Sequence, residues 1–318
     1  MFLDLSPLKV SRDYRLLFFG QLVSFFGSMM TFIVVPWQMY QLTQSSAMVG
    51  YIYLAEFVPM VALAFIGGAL ADFLDKRKML RLTEIGQTVT TAILLINSML
   101  PKPQIWVLFL CVGLHAGLAA IQRPAFESFI QKIIPPDLMS AVMALNSIRW
   151  SVGAIVSPAI AGIIATQFSA SVAYTIDLFT FIASLIAVFL LRAVPSPENA
   201  EKPSWQGIKR AWKYAFSRQE LVGTYFIDIA AMFFAMPQAL YPALAVIYGE
   251  KFVGFFPAAI AAGALIASLT SGWTKNIHRH GLVVTIAAAL WGVAIIFFGM
   301  SSSIVPALLF LGAADSST

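Results

Sequence analysis

Nine stretches of this chain are each apolar over about the length of a bilayer crossing: 16–40, 47–71, 79–100, 104–127, 140–166, 170–192, 221–247, 252–273 and 282–300. A tenth begins near Ile304. A helix needs about 20 apolar residues to cross the hydrocarbon core. No water is available there, so every backbone N–H and C=O must find a partner within the protein. Only helices and closed barrels meet that demand. Barrel strands are about half as long as these runs, so the runs read as helices. Composition agrees: 59% of residues are hydrophobic and 11% charged, where a soluble domain carries about 25% charged residues. The expected fold class is an all-α integral membrane protein.

Charge sets the expected orientation. With the N-terminus on the cytoplasmic side, sixteen of the 20 lysines and arginines fall in cytoplasmic segments. Lys102 and Lys251 fall outside, and Arg123 and Arg149 lie within spans. Such asymmetry is the positive-inside pattern, so the net charge of +5 needs no nucleic-acid partner. The segment from Leu3 to Arg15 is mixed and amphipathic with no small-residue cleavage site, unlike a secretory signal. The single cysteine, Cys111, lies inside the fourth span and excludes an internal disulfide. The absence of an Asn-x-Ser/Thr sequon fits a bacterial cytoplasmic (inner) membrane.

The longest polar segment separates six spans from the rest. Residues 1–192 are expected to form a six-helix bundle, and 221–318 a second bundle with about three and a half helices. Between them, 193–220 reads as a cytoplasmic linker. Ile208, Trp212 and Phe216 in it share one face of a helix that rests on the membrane surface or binds a partner.

The turn after the second span is Gly67-Gly68-Ala69-Leu70-Ala71-Asp72-Phe73-Leu74-Asp75-Lys76-Arg77-Lys78. Its small residues let two helices approach, and its acids and bases mark an aqueous face. It resembles the cytoplasmic loop signature of the major facilitator superfamily of transporters. The resemblance implies a fold of two pseudo-symmetric helix bundles, with Gly68, Asp72, Lys76 and Arg77 acting in the conformational switch. A weaker echo follows the eighth span at Ser271–Gly281, with Asn276 where the acid would stand. The fifth span carries Gly153-Ala154-Ile155-Val156-Ser157-Pro158-Ala159-Ile160-Ala161-Gly162. This is similar to the superfamily's antiporter signature, with Ser157 and Ala161 in place of glycines. Gly153, Ser157, Pro158 and Gly162 read as that motif, which is associated with export, or as a generic small-residue packing face.

Ionisable side chains are costly inside a membrane and usually face a cavity or a partner. Glu56, Arg123, Arg149 and Asp228 are the candidates for proton coupling or cavity lining. A structural ion pair is the equal alternative for Glu56, Arg149 and Asp228. Asp177 and Glu84 fall on spans that the resemblance makes outer scaffold, which implies structural partners. His115 reads as a packing histidine more readily than as a proton relay. Phe25, Phe26, Met29, Met30, Phe32 and Trp37 crowd the first span, as an adaptable apolar cavity or as lipid contacts.

There is no Gly-x-x-x-x-Gly-Lys-Ser/Thr loop, no His-Glu-x-x-His, no Gly-x-Ser-x-Gly and no cysteine pair. No enzyme activity, cofactor or metal is expected. Leu240-Tyr241-Pro242-Ala243-Leu244-Ala245 and the Gly67–Lys78 turn look most like the branch holding enterobactin exporters and proton-driven drug exporters. That branch implies a monomer exporting small amphipathic compounds, siderophores or lipophilic drugs, in exchange for protons. A nutrient importer is the rival within transport. The family norm of twelve spans makes an inactive truncated fragment, or a non-transporting membrane protein, the rival outside it.

Overall fold

The computed structural model describes residues 4–192, 236–270 and 280–316, together with Ser217 and Gly223. Among these, every regular element is a helix. They are α1 (Ser6–Val10), α2 (Arg12–Thr43), α3 (Ser46–Phe73), α4 (Lys76–Ser98), α5 (Ile105–Ile133), α6 (Met139–Gln167) and α7 (Ala170–Phe189). The second half supplies α8 (Tyr241–Tyr248), α9 (Phe255–Thr270), α10 (His280–Met300) and α11 (Ile304–Ser316), with short 3-10 turns between. Seven helices in the described residues are long and apolar enough to cross a membrane. The surface linker helix, the loop echo at 271–279 and Asp228 all lie outside the described residues.

Two expected spans end elsewhere than the hydropathy suggests. The fourth was expected to end at residue 127, but α5 runs on to Ile133 with Pro124 inside it. The seventh was expected to continue unbroken to residue 247. It is interrupted at Met236-Pro237, and a 3-10 turn and the eight-residue α8 follow. Pro237 disfavours a helical residue before it and has no N–H to give. Hydropathy registers neither effect.

Helix α3 packs against α5, α2 against α7, and α4 against both α5 and α7. Prolines and glycines shape the first of these contacts. Pro59 cannot donate to Ala55, and the freed Ala55 carbonyl lies over Gly113 of α5, where a Cβ would sit 3.0 Å from the oxygen. The pattern repeats in the other direction. Pro124 of α5 frees the Ala120 carbonyl, which faces Gly67 of α3, where a Cβ would sit 2.9 Å away. Each proline-bearing helix thus offers its spare oxygen to a bare Cα of its neighbour, in the manner of a Cα–H···O contact. Close approach between α2 and α7 uses Gly20 and Gly27, whose added Cβ atoms would meet Ala187 and Asp177.

The apolar core divides by depth. At the end of the bundle that holds the α2–α3 turn, Val34, Trp37, Ile52, Ala161 and Tyr174 share one buried cluster with Tyr241, Ala245, Phe256, Phe298 and Leu311. Both halves of the chain meet there. At the opposite, basic end, two smaller clusters, one around Leu80 and Phe129 and one around Tyr14 and Ile130, draw only on α1–α7, the turns between them and Leu191 just beyond α7. Among the described residues the halves are therefore sealed together at one end and apart at the other.

Candidate functional site

A cavity of about 800 Å³ lies between these two ends, walled by α2 to α7. Helical periodicity explains the lining. Ile52, Glu56, Met60, Ala64 and Gly68 recur every four residues and form one stripe of α3, while Gln21, Phe25, Ser28, Phe32 and Val35 form the facing stripe of α2. Helix α5 adds His115, Ala119, Gln122 and Arg123, and α6 adds Arg149. Glu56, Gly68, Arg123 and Arg149 from the sequence reading thus meet around one space.

Their partners differ. Arg123 is 84% exposed and its Nε contacts Glu127 Oε1 at 3.4 Å, one helical turn on. Glu127 also lines the cavity and was missed by sequence reasoning. The i,i+4 spacing of opposite charges was the available signal. Arg149 has no carboxylate partner among the described residues. Its guanidinium lies 5.6 Å from the Phe126 ring centroid and 6.0 Å from that of Phe25, and its Nε is buried without a hydrogen bond. Glu56 on α3 makes no ion pair either: the described ion pairs are Arg12–Asp13 and Arg123–Glu127. Among the described residues the cavity therefore holds a cation and an anion on different walls, neither of them in an ion pair. His115 sits 5.4 Å from the Phe181 ring, edge to face, and its Nδ1 lies 3.4 Å from Thr90 Oγ1.

The loop signature resolves into separate parts. Gly68 faces the cavity with nothing within 4 Å of an added Cβ, so the close helix approach belongs to Gly67. Asp72 sits in the last turns of α3. Asp75, not singled out from the sequence, caps α4: its Oδ1 accepts from the backbone N–H of Arg77 at 2.9 Å and of Lys78 at 3.3 Å. Arg77 and Arg81 donate to the Phe189 carbonyl at the C-terminus of α7, at 3.3 and 2.8 Å. There they satisfy an orphan acceptor and oppose the negative end of the helix dipole. Lys76 is buried at this junction.

The antiporter-like stretch of α6 touches both halves of the molecule. Gly153 lies against the Phe25 ring, and Ser157 Oγ donates to the Phe26 carbonyl of α2. Further along, the Pro158 carbonyl lies against Gly254 at the entry to α9. A Cβ on Gly162 would come within 2.6 Å of the Gly254 nitrogen. Only bare backbone on both sides permits this approach.

Asp177 and Glu84 are fully buried, and no arginine or lysine pairs with either among the described residues. Asp177 Oδ2 accepts from Thr31 Oγ1 at 2.5 Å and its Oδ1 from Thr180 Oγ1 at 3.3 Å. Glu84 Oε2 accepts from Gln122 Nε2 at 2.5 Å and Gln21 Nε2 at 3.4 Å. The structural partners expected for these acids are neutral amides and hydroxyls.

A multi-pass helical bundle sealed at one end, with a polar-dotted apolar cavity inside it, defines a membrane transporter rather than an enzyme. Sequence comparison places it more finely. The chain belongs to the Major Facilitator Superfamily, whose family profile matches residues 17–318. Among curated relatives it is similar to the enterobactin exporter EntS of Citrobacter koseri, 24% identical over 301 residues that cover 94% of this chain and 72% of the relative. The EntS of Salmonella choleraesuis is 25% identical over 288 residues, covering 90% and 69%. Among solved structures, the nucleoside transporter NupG superposes with a TM-score of 0.73 at 12% identity, covering 96% of this chain and 80% of that one. A bacterial homologue of the iron transporter ferroportin, in an inward-facing state, superposes at 0.70 with 14% identity and coverages of 96% and 80%. At such identities the structural likeness speaks for the fold.

Proposed function

We propose that this chain exports small amphipathic compounds, catecholate siderophores or lipophilic drugs, in exchange for protons across a bacterial cytoplasmic membrane. The observation that carries the reading is the cavity: about 800 Å³, ringed by Phe25, Phe32, Met29 and Met60, with Glu56 and Arg149 on its walls and in no ion pair among the described residues. Aromatic and thioether side chains adapt to varied apolar ligands, and isolated charges in a desolvated space select polar ends strongly. The similarity to EntS supports a siderophore, and the small-residue stretch of α6 supports export.

In this reading the basic end is cytoplasmic, as the charge distribution favours. The sealed end then faces outward, and the cavity belongs to a state open to the cytoplasm. The loop residues Asp72, Lys76 and Arg77 act in the switch between states, while Glu56 and Arg149, together with Asp228, couple ligand to protons. The active unit is a monomer.

Cells lacking their own exporters test this. Expression of the chain is expected to lower accumulation of a fluorescent lipophilic cation several-fold. A protonophore, or Glu56→Gln, should restore it. Raised accumulation would favour the importer reading. Unchanged accumulation of this cation and of a catecholate siderophore would favour a non-transporting membrane protein.

A further inference from the structure

Four helices converge on Glu84 without supplying a positive charge. Its Oε2 receives the two glutamine amides, Gln21 of α2 and Gln122 of α5. Its Oε1 has no hydrogen-bond partner, though Glu84 is 0% exposed. Ser184 Oγ of α7 lies beside the carboxyl as a poorly aligned donor and is otherwise buried without a well-formed hydrogen bond. One turn along α4 on the same face, Gln87 Oε1 is a third buried oxygen with no donor, on a residue 3% exposed. Buried oxygens in native proteins are rarely left bare. The cluster is also reachable: Gln21, Gln87 and Gln122 line the cavity wall.

Under-coordinated oxygens on a carboxylate, a hydroxyl and an amide, with no lysine or arginine paired to them among the described residues, are what a small monovalent cation completes. We propose that Glu84, with Ser184 and Gln87, binds such a cation, a proton or Na⁺, which enters through the cavity. As a proton it would bond to Oε1, and the new O–H would donate to a neighbouring oxygen. As Na⁺ it would take these oxygens as ligands. The proposal rests on the reading of the chain as an ion-driven transporter, and it assigns the driving ion a place outside the four candidates read from the sequence.

Other charged or titratable groups on the packed elements are Lys76, Arg77, Lys78 and Arg81 on α4, His115, Arg123, Glu127 and Lys132 on α5, Asp177 on α7 and Arg149 on α6. Helix α2 contributes only Gln21 nearby, its charged Asp13 and Arg15 lying more than a turn away. Arg81 is held by the Phe189 carbonyl, and Asp177 by threonine hydroxyls.

The test needs no transport substrate. The melting midpoint of the purified full chain in detergent is measured against pH, and against NaCl with choline chloride holding ionic strength constant. Binding to the folded state raises stability with ligand activity. A proton site predicts a midpoint that falls as pH rises through the binding range. A Na⁺ site predicts one that rises with NaCl. Either dependence should vanish in Glu84→Gln and weaken in Ser184→Ala. A dependence kept in Glu84→Gln but lost in Asp177→Asn or His115→Gln overturns the proposal. So does an absence of either dependence in the unaltered protein. Should Glu84→Gln fail to fold, unchanged dependence in both Ser184→Ala and Gln87→Leu overturns it. An inert chain that still binds the ion through Glu84 would sink the exporter reading alone. Undiminished proton-driven export by Glu84→Gln would sink this site alone.

Discussion

Gly67 and Gly68 are neighbours in sequence and opposites in structure. A Cβ on Gly67 would meet Ile121 Cα at 2.8 Å and the Ala120 oxygen at 2.9 Å, both backbone atoms that cannot rotate away. A Cβ on Gly68 meets nothing. Gly67→Val is therefore expected to destabilise the folded bundle by about 1–3 kcal/mol, in the range for overpacking, while Gly68→Ala leaves it unchanged. Melting curves in detergent separate the two; equal midpoints would refute the assignment. The sequence presents the pair as one motif, because which glycine meets a neighbour depends on the rotation of α3 about its axis. Glu56, Arg123 and Arg149 were legible because a charge in an apolar run stands out. Glu127 was not, since it stands at the last residue of the expected fourth span, where a charge is ordinary. The bare oxygens around Glu84 were also illegible, because four helices supply them and no local spacing joins them.

At the scale of elements, most helices follow directly from apolar run length, and the exceptions are prolines. Pro124 is tolerated within α5 because Gly67 takes up the freed carbonyl. At Pro237 the chain is outside any helix, and α8 starts afresh beyond it. The reach of α6 also exceeds the local pattern: its small residues are spaced for packing, yet Gly153 and Ser157 serve α2 while Pro158 and Gly162 serve the entry to α9. A bulky residue at Gly254 should wedge α6 from α9 and open the sealed end. In a Cys111→Ser background, a cysteine at Ala165, which is buried in the shared cluster, is expected to resist a membrane-impermeant maleimide. Adding Gly254→Leu should expose it. Equal protection in both proteins would show that the contact is not what keeps that end shut.

For the molecule as a whole, the proposed cytoplasm-facing state makes a sidedness prediction. A cysteine at Arg123, whose native side chain is 84% exposed, should react with impermeant maleimide in inside-out vesicles and not in spheroplasts. A cysteine at Val34, buried in the shared cluster, should react in neither preparation. Reversal of the Arg123 result would invert the topology that the basic residues suggest. The exchange of carbonyls between α3 and α5 bears on how such a molecule changes shape. Each freed carbonyl lies against its neighbour's missing side chain, so a shift of either helix at these points presses backbone against backbone in the other. These two walls of the cavity must then flex as a single laminated leaf, bending at two heights at once, and a ligand leaning on one would be felt along the full length of both.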